Sequence, residues 1–246
     1  MVGSHRREPE GKAGARAYVV GDVHGCLAEL EALLAKVEED LDRRPAGEAF
    51  LIFVGDLIDR GPDSAGVLER LRTYQRDGVR TVFLTGNHEE SFSRVLRGEQ
   101  GVLRSWLSYG GKECAQSYGV NVSELGAASE EAALRLIRSS VPDSHRTFLA
   151  GFGDTFRFGD YLIVHAGIRP GLPLENQSTQ DLRWIRDPFL SDHGDHGFVV
   201  VHGHTIVDEV EQWPNRIGID TGAYRTGVLT ALVIDGPERT LISARA

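Results

Sequence analysis

Phe50-Leu51-Ile52-Phe53-Val54-Gly55-Asp56-Leu57-Ile58-Asp59-Arg60-Gly61-Pro62 is the stretch on which the reading of this chain turns. An uninterrupted apolar run of five residues reads as a buried strand of an α/β sheet. Gly-Asp follows at once, so Asp56 sits where the strand ends and a loop begins, the edge at which such sheets bind ligands. The pattern occurs twice more. Ala17-Tyr18-Val19-Val20 leads into Gly21-Asp22-Val23-His24-Gly25, and Thr81-Val82-Phe83-Leu84 leads through Thr85 into Gly86-Asn87-His88-Glu89. Three strand ends thus deliver Asp, His, Asp, Asn and His to one rim. Mixed oxygen and imidazole donors suit Mn, Fe or Zn better than Ca or Mg alone.

Between these strands the period changes. Leu27, Leu30, Leu33, Leu34 and Val37 recur at helical spacing, as do Val67, Leu68 and Leu71 after the candidate caps Asp63 and Ser64. Pro45-Ala46-Gly47 and Gly78 punctuate the returns. The β-α-β-α-β order predicts parallel strands with right-handed crossovers. From Glu89 to about Gly151 the chain reads as a helical insertion beside the site, with short amphipathic candidates at 91–97, 102–109, 111–118, 130–139 and 142–150. Trp106 and Tyr109 are expected in its core. A hairpin then joins 155–158 to 161–164 and runs into His165-Ala166-Gly167-Ile168. A further strand, 198–201, runs into His202-Gly203-His204-Thr205. Two residues apart on a strand, His202 and His204 are expected to share a face. Segments 216–219, 228–234 and 240–243 read as a closing β-meander.

The chain has 246 residues, 41% apolar and 26% charged, ordinary for a globular protein with a substantial core. Residues 1–16 are polar and aperiodic and are expected to form a disordered tail, with residues 17–246 one domain. A net charge of −9 and a pI near 5.5 argue against a nucleic-acid partner. No apolar run is long enough for a membrane span and no secretory signal is present, so no membrane partner is expected. Two cysteines, Cys26 and Cys114, make no disulfide framework, and a cytoplasmic location is the simplest expectation.

Collected, the strand-end groups are Asp22, His24, Asp56, Asn87, His165 and His204: two carboxylates, an amide and three imidazoles. Six donors exceed one tetrahedral site and suit two neighbouring cations sharing a carboxylate, as in two-metal hydrolases.

Those residues resemble a known family. Gly21-Asp22-Val23-His24-Gly25, Gly55-Asp56-Leu57-Ile58-Asp59-Arg60-Gly61 and Gly86-Asn87-His88-Glu89 look like the three signatures of the phosphoprotein-phosphatase branch of the calcineurin-like metallophosphoesterases. His165 and Gly203-His204-Thr205 look like its remaining metal motifs. The resemblance covers residues 17–235 and is closest in style to bacterial and phage members. It implies central β-sheets forming a β-sandwich flanked by helices. It implies two divalent cations, Mn2+ first and Fe or Zn next. Asp22 and His24 would hold one, Asp56 would bridge, and Asn87, His165 and His204 would complete the second. It implies that His88 is the general acid and that Asp59 orients it. Arg60, Asn87 and a downstream arginine would bind the substrate phosphate. For that arginine, Arg186 is chosen over Arg183. His202 would stand behind the ligands.

The resemblance therefore implies a dimetal phosphomonoester hydrolase, a serine/threonine or dual-specificity protein phosphatase using a metal-activated water. Its substrate would be a phosphorylated protein or a small phosphoester. Thr85, Ala166 and Gly203 depart from the eukaryotic pattern. The main alternative is a symmetrical diadenosine tetraphosphate hydrolase, whose matching motif tends to lack the aspartate present here as Asp59. A non-catalytic binding module is a distant third, because it would need a missing ligand or acid and none is missing.

Overall fold

The computed structural model describes residues 7–246. Residues 1–6 of the expected tail lie outside them, and residues 7–16 depart from that expectation. Gly11 N–H donates to Gly236 O at 2.8 Å, and Glu10 N–H donates to Asp160 Oδ2 at 2.9 Å. Strand β1 (Ala15–Val20) already begins inside the supposed tail. Arg16 disguised it: this charged residue is buried, and its guanidinium donates to Asp235, Tyr18 and the Arg44 carbonyl. A charge so matched can occupy a strand position.

The next elements follow the expected order: α1 (Leu27–Arg43), β2 (Glu48–Phe53), α2 (Ser64–Arg72) and β3 (Val79–Phe83). β1 pairs parallel with β2, and β2 with β3. α1 buries Leu30, Leu33, Leu34 and Val37, and Asp63 caps α2 by accepting the Gly66 N–H at 2.7 Å. The insertion holds α3 (Asn87–Leu96), α4 (Leu103–Trp106), a kinked turn (Leu107–Gly111), α5 (Lys112–Ser117), α6 (Val122–Ala127), α7 (Glu130–Ser140) and α8 (Asp143–Ala150). α3 begins four residues before the expected start, at the signature itself.

Strands β4 (Thr155–Phe158) and β5 (Tyr161–Val164), helix α9 (Thr179–Trp184), and strands β6 (Val199–His202), β7 (Glu211–Gln212) and β8 (Arg216–Gly218) build a second sheet, ordered β4-β5-β6-β8-β7. After α10 (Ala223–Thr226), β9 (Leu229–Asp235) and β10 (Glu238–Ala244) return to the first sheet, ordered β10-β9-β1-β2-β3. This corrects the expected meander. β8 pairs parallel with β6, whereas β9 pairs antiparallel with β1. Apolar alternation marks a strand but does not say which sheet accepts it.

The two sheets pack face to face. Ala17, Val19, Phe50 and Ile52 meet Phe158, Ile163, Val201 and Ile217 between them. On the far side of the first sheet, Tyr18, Leu51 and Phe53 pack against Leu30, Leu34 and Phe92. On the far side of the second, Leu162, Val164 and Val200 pack against Leu182 and Phe189. The result is a β-sandwich flanked by helices. Among the described residues no helix is long and apolar enough to cross a membrane.

Candidate metal centre and acid pair

Parallel strands of both sheets end at one rim, so their following residues converge there. Asp22 follows β1, Asp56 follows β2, Asn87 follows β3, His165 follows β5 and His204 follows β6. The site therefore lies at the seam between the sheets, not on one of them.

Asp56 is central. Its Oδ2 lies 3.6 Å from His24 Nε2 and 3.4 Å from His165 Nε2. Two groups have ligand atoms close enough to hold a cation, His24–Asp56–His88 and Asp56–His165–His204, and Asp56 belongs to both. Asn87 Oδ1 stands 3.0 Å from His165 Nε2 and 2.8 Å from His204 Nδ1. Donors around one cation at about 2.1 Å sit roughly 3 Å apart, so this spacing fits metal ligation. His24 Nδ1–H donates to Ile58 O and His165 Nδ1–H to Val54 O, which turns both Nε2 lone pairs toward Asp56. Among the described residues, the buried nitrogens His24 Nε2 and His204 Nε2 have no hydrogen-bond partner. Burial pushes the His24 imidazole down to about 3 and that of His204 down to about 2, so both stand neutral, as metal ligation requires. Burial, with the Asp220 and Asp56 charges nearby, holds the Asp22 carboxyl well above its ordinary value. Clustered buried carboxylates and neutral imidazoles are the donor chemistry that divalent cations satisfy.

The backbone is bent to present these groups. Among the described residues, the non-glycine positions with positive φ are His24, Asp56, Asp59, Arg60 and His204. Such conformations cost about 1–3 kcal/mol each and persist only where neighbours over-determine them. His24 N–H donates to Asp56 O at 2.8 Å, and His204 N–H to Asp22 Oδ2 at 3.0 Å. Gly203 permits the second contact, since a Cβ there would stand 2.0 Å from Asp22 Oδ1.

Glu89 stands in the third signature, and the sequence assigned it no role. Buried beneath the rim, its carboxylate accepts the N–H groups of Asp56 and Leu57 at 2.8 Å each and of Gly86 at 2.9 Å. It ties the β2 and β3 loops together and starts α3 at Asn87. Burial, helped by the Asp56 charge, pushes its carboxyl up to about 7, against the three amides that favour the ionised form. Glu89→Gln turns one acceptor oxygen into an NH2 facing an N–H. Mn2+ affinity is expected to fall about 10- to 100-fold by calorimetric titration. Unchanged affinity would mean that the loops hold Asp56 without it. Asp220 was also missed, although it follows the β8 segment just as Asp22 follows β1. It too is buried at the rim, which pushes its carboxyl up to about 6.

His88 and Asp59 form a second unit. Nδ1 of His88 lies 2.6 Å from Asp59 Oδ2, with both side chains buried. Burial works against the imidazolium, but the Asp56 charge and the Asp59 hydrogen bond outweigh it and hold His88 above its ordinary value. The other ring nitrogen is 3.9 Å from Asp56, farther than those of His24 and His165. His88 lines a cavity of about 400 Å³ with Arg60, Asn87, Trp184, Arg186 and His204. No ion pair holds Arg60 or Arg186 among the described residues. Arg183 instead turns inward, donating to Asp154 at 2.7 Å and to Glu90 at 3.3 Å. Its charge is already matched, so the structure brings Arg186, not Arg183, to the cavity.

Two expectations change here. His202 does not share a face with His204. Its ring packs on Phe189 at 5.1 Å in the outer core. The strand ends at His202, and the left-handed turn at His204 breaks the two-residue alternation. Trp106 is buried as expected, but Tyr109 is 66% exposed at the cavity mouth.

With this fold and rim in place, the chain belongs to the calcineurin-like phosphoesterase family, whose pattern matches residues 15–226. It is a metal-dependent phosphoric ester hydrolase. Among curated relatives it is 29% identical to the asymmetrical bis(5′-nucleosyl)-tetraphosphatase PrpE of Anoxybacillus flavithermus, over 87% of this chain and 88% of that one. It is 31% identical to serine/threonine-protein phosphatase 1 of Salmonella typhimurium, over 90% of this chain and 93% of that one. A solved structure described as a proposed diadenosine tetraphosphatase superposes with a TM-score of 0.66 at 23% identity, covering 95% of this chain and 96% of the other.

Proposed function

We propose that this protein is a phosphomonoesterase of the protein-phosphatase kind, acting on phosphoserine and phosphothreonine. In this reading Asp22, His24, Asp56, Asn87, His165 and His204 hold two divalent cations, Mn2+ first among Mn, Fe and Zn. When bound, the cations supply acidification of water and neutralisation of phosphoryl charge. Arg60 and Arg186 grip the phosphoryl oxygens from the cavity wall, a task that a planar guanidinium suits. Asn87 lies between the imidazoles and the cavity and orients the same group. Water attacks phosphorus in line with the ester oxygen. As that bond breaks, His88 gives its Nε2 proton to the leaving oxygen, while Asp59 holds the ring through Nδ1.

The observation that carries this reading is the buried 2.6 Å His88–Asp59 pair. A serine or threonine alkoxide is too basic to leave unprotonated, so its hydrolysis needs an acid. A nucleotide leaving from a polyphosphate is already a stable anion near neutrality and needs one far less. A second reading, dinucleoside tetraphosphate hydrolysis, is favoured by the aromatic cavity mouth, where Tyr109 and Trp184 offer faces for a base. It is also the activity named for the Anoxybacillus relative.

One assay separates the two. With saturating Mn2+, kcat/KM is compared for a phosphoserine/phosphothreonine peptide, a phosphotyrosine peptide and diadenosine tetraphosphate. The phosphoserine/phosphothreonine peptide is expected to be preferred at least about tenfold, a difference of roughly 1.4 kcal/mol in the barrier. Preference for the dinucleotide would replace the first reading with the second.

A further inference from the structure

The Asp59–Arg60 turn carries the acid's partner and a phosphate-binding arginine, yet both residues adopt positive φ, 71° and 67°. Such a turn needs an external brace. Within its own loop Asp59 N–H donates to Ser64 Oγ at 2.9 Å and Asp59 O accepts the Gly61 N–H at 2.7 Å, and neither bond reaches the Asp59 carboxylate or the Arg60 amide. The Tyr224 ring of α10 lies under the Arg60 guanidinium, its centroid 4.8 Å away, and the helical insertion adds contacts to both residues. Trp106 Nε1–H donates to both Asp59 carboxylate oxygens, at 3.1 and 3.0 Å. Arg60 N–H donates to Gly110 O at 3.1 Å. Gly110 has a φ of 106°, and a Cβ on it would lie 2.5 Å from Arg60 N. Trp106 closes α4, and Gly110 lies in the kinked turn that follows it. That turn contains non-helical backbone at Tyr109 and Gly110, which points the Gly110 carbonyl at Arg60.

We infer that Trp106 and Gly110 are positioning residues for the reaction: Trp106 sets the Asp59 carboxylate against His88, and Gly110 sets Arg60 against the phosphoryl group. The insertion is then a working part of the site. Asp59 Oδ2 meets both His88 Nδ1 and the indole N–H, and Oδ1 meets the indole N–H as well, so the indole fixes the carboxylate plane in which the His88 bond forms. Without the indole N–H, the carboxylate can rotate and the imidazole loses its aim. The indole is anchored independently of Asp59 by its stacking on Phe92, 5.3 Å between centroids. Trp106→Phe therefore removes the donor while keeping the packed ring. This inference rests on the proposed acid role of His88.

The test uses two substrates with Mn2+ at saturation: a phosphoserine peptide, whose alkoxide needs protonation, and 2,4-dinitrophenyl phosphate, whose phenolate does not. Trp106→Phe is expected to lower kcat on the peptide about 10- to 100-fold, the worth of one hydrogen bond to a charged group. The ratio of aryl to peptide kcat is expected to rise by a similar factor, with metal content kept. Gly110→Ala is expected to lower kcat/KM about tenfold on both substrates alike, because Arg60 meets the phosphoryl group they share. A Trp106→Phe loss equal on both substrates, absent on both, or accompanied by metal loss overturns the role of Trp106. An unchanged kcat/KM in Gly110→Ala overturns that of Gly110. His88→Ala, measured alongside, separates the failures. If it shows no leaving-group selectivity, the acid reading fails and takes the Trp106 role with it. If it is selective and Trp106→Phe is not, the Trp106 role alone falls.

Discussion

Asp56→Asn is expected to lower turnover at least roughly 10³-fold, the several kcal/mol that cationic charge stabilisation contributes to such reactions. The reason is geometric. Asp56 belongs to both candidate ligand groups, with His24 on one side and His165 and His204 on the other. An amide retains one acceptor oxygen but no negative charge, so the two groups lose their shared ligand together. Equilibrium dialysis with Mn2+ should show fewer than two bound ions in the variant. Mn2+ is expected to raise the Tm of the parent protein by binding the folded state alone, and that rise should be smaller in the variant. The substituted amide side chain still fits beneath the Glu89-held loop, since Glu89 grips only backbone amides there. A fold change is therefore not the expected cause of the loss. Retention of two ions and of the Mn2+-dependent Tm shift would show that Asp56 does not bridge.

His88→Ala is expected to lower kcat on a phosphoserine peptide about 10²–10⁴-fold, the range over which a positioned acid contributes. Metal content should stay at the parent level, because Asp56 and the imidazoles of His24, His165 and His204 remain. This separates the two possible jobs of His88, whose place in the His24–Asp56–His88 group would also admit ligation. Loss of a bound ion in the variant would make it a ligand. Unchanged turnover on the alkyl phosphate with full metal content would remove it from the mechanism. The hydrogen bond from His88 N–H to Asp56 Oδ1, 3.0 Å, is made by the backbone and survives the substitution, so Asp56 keeps its orientation. The comparison of His88→Ala with Asp56→Asn is thus one of proton supply against cation supply on the same scaffold.

Much of this site is legible in the sequence, for a local reason. A strand followed by Gly-Asp or Gly-Asn is a short-range pattern, and parallel strands carry whatever follows them to a common edge. Asp22, His24, Asp56, Asn87 and His88 could therefore be placed from neighbouring residues alone. The apolar stripe of α1 and the cap of α2 were readable in the same way. Arg16 shows the limit of such reading, because its charge masked a strand that distant Asp235 and the Arg44 carbonyl help make tolerable.

The amino-acid sequence by itself determined the first three strands with their crossovers and the set of metal-competent groups at the strand ends. These depend on contacts within a few residues or on a side chain's own donor type. Tertiary structure alone decided the rest. It put β8 in the second sheet and turned His202 into the outer core. It matched Arg183 to Asp154 and Glu90 and left Arg186 facing the cavity. It also gave Glu89 three amides from two loops, and brought Trp106 from 47 residues away to the carboxylate of Asp59. Each of these outcomes depends on which distant partner satisfies a charge, a donor or a strand edge. No local period encodes that choice, because it is made only when the two sheets and the helical insertion close around the same rim.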